Sequence, residues 1–127
     1  MSEVPAGGCG PRALVVDDEE VIRELLTNLL EDQHYEVTAV DCGRGALDEL
    51  RIRPFDVVVM DVMMPGEMSG LATLREIRRI RPESRVVMMT GRVCDHELEE
   101  QLRPADALIL KPFHCHQLID CIRKLAG

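Results

Sequence analysis

A chain of 127 residues suits one domain that buries roughly two thirds of its unfolded surface, and with 46% apolar but only 2% aromatic residues its core must be built from Val, Leu, Ile, Met and Ala. The net charge of −8 and pI near 4.9 argue against nucleic acid as a direct partner, because phosphate binding needs a basic face. Five cysteines (Cys9, Cys42, Cys94, Cys115, Cys121) without a CxxC pair fit a reducing, cytoplasmic setting rather than a disulfide scaffold, no apolar stretch precedes the lipoprotein-like Ala6-Gly7-Gly8-Cys9, and no run is long enough to span a membrane.

Residues 1–11, with Pro, Gly and Ser, read as a loose leader to a single domain over residues 12–127. Residues 13–16 are a short aliphatic run of the kind that forms a fully buried parallel strand, and Asp17-Asp18 follows it. Val21, Ile22, Leu25, Leu26, Leu29 and Leu30 then recur at helical spacing, with Glu19 and Glu20 in the first turn where the helix dipole favours negative charge. Residues 36–40 are a more polar strand, as an edge strand would be, and residues 43–53 a short helix stopped by Pro54. Residues 56–60 are the most apolar run and the expected sheet centre, ending at Asp61.

A Pro65/Gly66/Gly70 loop leads into a helix carrying Leu71, Leu74, Ile77 and Ile80, which ends before Pro82. The arginines of this stretch (Arg75, Arg78, Arg79, Arg81, Arg85) read as a solvated helix face. Residues 85–89 form the fourth strand, followed by Thr90. A weakly apolar helix over residues 96–103 has only the pair Leu98 and Leu102. Residues 106–110 form the fifth strand, ahead of Lys111-Pro112 and a last helix with Leu118, Ile122 and Leu125. Five strands alternating with five helices imply an α/β domain with a parallel sheet covered on both faces.

Polar residues at the carboxyl ends of such strands face the crevice where open α/β sheets bind ligands. Asp17, Asp18, Asp61, Thr90 and Lys111 all stand there. Taken singly, each has a plainer role: an Asp caps a helix, a Lys sits in a solvated turn. A cap needs one acid, and five polar residues at one edge call for a common purpose.

These pieces identify a family. Val15-Val16-Asp17-Asp18-Glu19, Asp61-Val62-Met63-Met64-Pro65, Met88-Met89-Thr90-Gly91 and Lys111-Pro112-Phe113, in that order and each at a strand end, resemble the receiver domain of two-component response regulators from about Arg12 onward. The resemblance implies a doubly wound, flavodoxin-like sheet of order 2-1-3-4-5. Strands 1 and 3 would then be neighbours about 4.8 Å apart, and acids crowded so closely need a cation; an oxygen-only set with room for water suits Mg²⁺. By resemblance Asp18 and Asp61 would touch Mg²⁺ directly, Asp17 through water, and the Met63 backbone carbonyl would complete the protein's share. Asp61 would be the phosphoacceptor, with Thr90 and Lys111 neutralising the phosphoryl oxygens, and the Lys111–Pro112 peptide would be cis. The chain would act as a phosphorelay switch rather than a turnover enzyme, taking its phosphoryl group from a histidine kinase or phosphotransfer protein. It would signal to a downstream effector protein or attached output domain through the face of the fourth helix, fifth strand and fifth helix, which also admits a homodimer.

Three features depart from the family. Leu108 stands where receivers carry Tyr or Phe, which puts the usual relay in question and is the sole support for the alternative, a phosphorylation-independent pseudo-receiver that binds proteins. The loop after Asp61 is one residue longer than usual, with Ser69 in place of Asp. Met63 and Arg92 occupy the two positions that tune phosphate lifetime in the family. A Mg²⁺-dependent aspartyl-phosphate hydrolase of another fold would need an acid two residues after the nucleophile, where this chain has Met63. His114-Cys115-His116 reads as the polar start of a helix, because consecutive helical residues point in different directions and zinc ligands need spacings that converge. Met60, Met63, Met64, Met68, Met88 and Met89 read as filling in an aromatic-poor core.

Overall fold

Each apolar run forms a strand, and each stretch of helical periodicity a helix. In the computed structural model, which describes residues 10–64, 68–91 and 96–126, the order is β1 (Arg12–Val16), α1 (Glu20–Asp32), β2 (Glu36–Val40), α2 (Gly43–Ile52), β3 (Val57–Asp61), α3 (Gly70–Ile80), β4 (Arg85–Thr90), α4 (His96–Gln101), β5 (Ala107–Leu110) and α5 (Cys115–Ala126). All strand pairs are parallel and the sheet order is β2-β1-β3-β4-β5, as expected. The leader's residues 1–9, Cys9 among them, lie outside the described residues, as do Pro65, Gly66, Arg92 and Cys94. Pro11 is already tied in, its carbonyl accepting from Glu36 N at 2.9 Å.

Side-chain alternation along the strands makes two cores, one on each face. Leu14, Val16, Val58, Met60, Val86 and Met88 pack with Leu47, Leu50, Leu74 and Ile77 of α2 and α3. Ala13, Val15, Val57, Val59, Val87 and Met89 pack with Leu26 and Leu30 of α1 and Leu118 and Ile122 of α5. Each fully buried aliphatic side chain contributes roughly 1.5–3 kcal/mol. Met60, Met64, Met88 and Met89 are buried, in keeping with the filling role, whereas Met63 is 59% exposed. β3 is buried throughout and central; β2 is a half-covered edge.

The helix ends explain details that sequence pattern leaves open. Ser69, in the place where the family prefers Asp, is the N-cap of α3 and accepts from Ala72 N at 3.1 Å, a task Ser and Asp perform about equally. α1 ends with His34 in the left-handed region (φ 72°); His34 N donates to Glu31 O and Tyr35 N to Leu30 O, which satisfies two terminal carbonyls. At α5, Gln117 Oε1 accepts from His114 N at 2.7 Å, half of a capping box. The rings of His114 and His116 stack with centroids 5.4 Å apart, and both side chains are exposed. Among the described residues Cys42, Cys115 and Cys121 are free thiols, and no helix is long and apolar enough to cross a membrane.

The arginine run is only partly a solvated face. Arg75, Arg79 and Arg85 are exposed, but Arg81 Nε donates to Leu50 O at 2.7 Å, and Arg78 gathers Ser84 O (2.6 Å), Pro104 O (2.7 Å) and the Asp106 carboxylate. Asp106 Oδ2 also accepts from Val86 N at 2.7 Å, so this half-buried ion pair fixes where β5 starts beside β4. Breaking one partner of such a pair strands the other, and Arg78→Met is expected to lower stability by about 2–3 kcal/mol. Urea denaturation checks this; an unchanged midpoint would show that the clasp is dispensable.

Candidate functional site

The strand register brings the predicted residues to one edge. Val16 pairs with Met60, so Asp17 and Asp61 leave β1 and β3 side by side. Asp61 pairs with Met89 and Thr90 with Leu110, which sets Thr90 and Lys111 at the same carboxyl edge. Lys111 N donates to Thr90 O at 2.7 Å, and the Lys111–Pro112 peptide is cis, as expected. Gly70 closes the site from the α3 side: its N–H donates to Val62 O at 3.1 Å, and a Cβ there would lie 2.2 Å from the Asp61 carbonyl oxygen, so only glycine permits this approach.

Within this frame Asp17, Asp61 and Lys111 meet. Lys111 Nζ hydrogen-bonds Asp61 Oδ2 and stands 3.8 Å from Asp17 Oδ2. Asp61 Oδ1 accepts from Met63 N at 2.8 Å, so both Asp61 oxygens are held. Asp17 is fully buried; its Oδ1 accepts from Glu19 N at 2.9 Å, while Oδ2 is buried without a hydrogen-bond partner. Thr90 is fully buried, and Asp18 is exposed at the rim.

The electrostatics follow from burial. Desolvation pushes the Asp17 carboxyl above its ordinary value, opposed by the Glu19 N–H and the Lys111 charge and reinforced by Asp61 and Asp18. For Lys111, burial pulls the ammonium down, but the bond to Asp61 and the charges of Asp61, Asp17 and Glu19 outweigh it and hold its pKa above the usual lysine value. The carboxylates of Asp17, Asp18, Glu19 and Asp61 therefore outnumber the Lys111 ammonium at this edge and leave it with a negative excess. Among the described residues no three His, Cys, Asp or Glu side chains gather closely enough to hold a metal by themselves. The orphaned Asp17 oxygen, the negative excess and the all-oxygen donors nonetheless suit a hard divalent cation that keeps most of its waters.

A buried carboxylate with an unpartnered oxygen costs stability when charged. Asp17→Asn is therefore expected to stabilise the metal-free protein at neutral pH by about 1–2 kcal/mol. The sign follows from the raised pKa: the folded protein binds this proton more tightly than the unfolded chain, so wild-type stability falls as pH rises from the ordinary 3.8 through the folded value. Urea denaturation in EDTA at two pH values tests it. The variant's advantage should grow with pH, and a variant less stable at neutral pH would contradict the reading.

Sequence reasoning missed Arg23, whose Nη1 donates to the Asp17 backbone carbonyl at 2.7 Å. The available signal was a cation in the first turn of a helix, where the dipole disfavours it.

The response regulator receiver domain family model matches residues 13–123. The response regulator receiver protein CpdR of Brucella abortus is 33% identical over 90% of this chain and 95% of its own length. The sensor histidine kinase GacS of Pseudomonas protegens is 36% identical over 92% of this chain but only 13% of its own length. The structure of response regulator protein TrrA of Thermotoga maritima, in complex with Mg²⁺-BeF, superposes with a TM-score of 0.83 at 33% identity, over 91% of this chain and 99% of that one.

Proposed function

Because the chain belongs to the response regulator receiver domain family, we propose that it is a phosphoacceptor switch in which Asp61 takes a phosphoryl group from a histidine kinase or phosphotransfer protein. The observation that carries this reading is the Lys111–Asp61 pair set against the buried Asp17, whose Oδ2 accepts no hydrogen bond. An Asp61 carboxylate oxygen attacks phosphorus, the bond from phosphorus to the donor's imidazole nitrogen breaks, and the imidazole leaves with the electron pair. Asp61 exchanges its ion pair with Lys111 for a covalent acyl phosphate. The Lys111 ammonium is freed to bind a phosphoryl oxygen, and the Thr90 hydroxyl takes another.

Mg²⁺, held by Asp17, Asp18, Asp61 and the Met63 carbonyl, would supply the missing positive charge. The Met63 N–H, already on Asp61 Oδ1, orients the nucleophile. The switch catalyses only its own phosphorylation and dephosphorylation, works in the cytoplasm, and reads out through a downstream effector or attached output domain at the α4–β5–α5 face. Leu108, 39% exposed on the edge strand, lacks the ring that relays the event in relatives. The shift in conformational balance must then run through the Thr90 and Lys111 backbone, which the 2.7 Å bond already joins.

Beryllofluoride, an analogue of the bound phosphoryl group, tests this by NMR. Amide shifts at Asp61, Thr90 and Lys111 are expected only when Mg²⁺ is also present; unmoved amides under both conditions would overturn the phosphoacceptor reading.

A further inference from the structure

We infer that Arg23 is a positioning residue of the acidic pocket: by holding the Asp17–Asp18 peptide from α1, it sets the orientation of both carboxylates toward a divalent cation. The inference rests on the phosphoacceptor reading and extends it to a residue outside the motifs.

Asp17 is held at almost every polar atom. Its N–H donates to Val40 O at 3.2 Å, its carbonyl accepts from Arg23 Nη1 at 2.7 Å, and its Oδ1 accepts from Glu19 N at 2.9 Å. Oδ2 is the exception, buried and without a hydrogen-bond partner. An oxygen that accepts no hydrogen bond, with the Lys111 ammonium 3.8 Å away, on a side chain otherwise fixed suits an ion site, because the ordering is done before the ion arrives.

The carbonyl that Arg23 holds belongs to the peptide joining buried Asp17 to exposed Asp18. That planar unit links the two Cα atoms, so its rotation swings one carboxylate relative to the other. Arg23 reaches it from the first turn of α1, where a cation opposes the helix dipole, and half-buried. The hydrogen bond from Arg23 is to the Asp17 main-chain carbonyl and not to its carboxylate, so Arg23 acts on the acid through the backbone.

The test is calorimetric titration with Mg²⁺ alone, without any phosphodonor, on the wild type, Arg23→Met and Arg23→Lys, together with thermal melts. Arg23→Met should raise the Mg²⁺ Kd roughly tenfold, the scale of one hydrogen bond from a charged donor. Arg23→Lys, which keeps the charge on a differently shaped donor, should raise it by a smaller factor.

An unchanged Kd in both variants overturns the inference, even if the melting temperature falls, because Arg23 would then only brace the helix. A lysine variant equal to wild type, with the methionine defect vanishing in roughly 0.5 M salt, overturns it too, by showing a charge effect. If Arg23→Met does not fold, the lysine variant alone decides: a raised Kd supports positioning and a wild-type Kd overturns it. Absence of Mg²⁺ binding by the wild type would overturn the phosphoacceptor reading and this inference together.

Discussion

Asp61→Asn is expected to abolish phosphoryl incorporation from acetyl phosphate while leaving the fold intact. The carboxamide is not a nucleophile, so there is no alternative oxygen of comparable reactivity at this position. Asp17 cannot substitute: it is fully buried, and burial favours its protonated form. The amide oxygen introduced by Asp61→Asn would still accept the Met63 N–H that Asp61 Oδ1 receives at 2.8 Å, so the turn after β3 should keep its shape. Intact-protein mass spectrometry and a far-UV spectrum check the two halves of this expectation. Incorporation at the wild-type level would move the acceptor to another residue.

Lys111→Met is expected to destabilise the metal-free protein. Lys111 Nζ is bonded to Asp61 and lies 3.8 Å from Asp17 Oδ2, with 25% of its side chain exposed against 8% for Asp61 and none for Asp17. Removing one partner of a buried pair costs roughly 3–5 kcal/mol; partial exposure of the lysine reduces this to about 2–3 kcal/mol at neutral pH in the absence of metal. The pH dependence carries a sign. Lys111 titrates above its ordinary 10.5 in the folded protein, so its contribution is fully present below that value and is lost as pH climbs through the folded one. The variant lacks this alkaline loss and instead gains stability on acidification, as the buried Asp17 carboxyl, whose pKa is raised, takes up its proton. Urea midpoints at pH 5, at pH 7 and at about pH 11.5 (roughly one unit beyond a normal lysine) distinguish these trends. A variant as stable as the wild type at neutral pH would mean that the ion pair contributes nothing.

Much of this arrangement can be read from the chain because the sheet is parallel and buried on both faces. Such strands are continuous apolar runs, and the residue that ends each run marks the functional edge. Asp17, Asp61, Thr90 and Lys111 are legible for that reason, and Val16↔Met60 and Thr90↔Leu110 pairing assembles them. Boundaries are less legible. β3 runs over Val57–Asp61 rather than 56–60, because pairing with Met89 carries the strand through the acid itself. α4 ends at Gln101, not Arg103, although Leu98 and Leu102 are both buried as the i,i+4 pair suggests.

What sequence pattern cannot reveal depends on contacts distant along the chain or on backbone geometry. Arg78 and Asp106 are 28 residues apart, and Arg81 and Leu50 31, so a run of arginines looks solvated when two of them are structural ties. Arg23 reaches a main-chain carbonyl, which leaves no imprint on side-chain periodicity. His34 adopts a positive φ normally given to glycine, at a cost of roughly 1–2 kcal/mol that no composition rule foresees.

The phosphoacceptor role of Asp61 is decided by the intact mass of the wild-type protein after incubation with acetyl phosphate, with and without Mg²⁺, beside Asp61→Asn. One added phosphoryl group is expected in the presence of Mg²⁺, absent without the metal and absent in the variant. Mass gain that persists in Asp61→Asn, or a wild type that neither gains mass nor responds to beryllofluoride with Mg²⁺, would contradict that role.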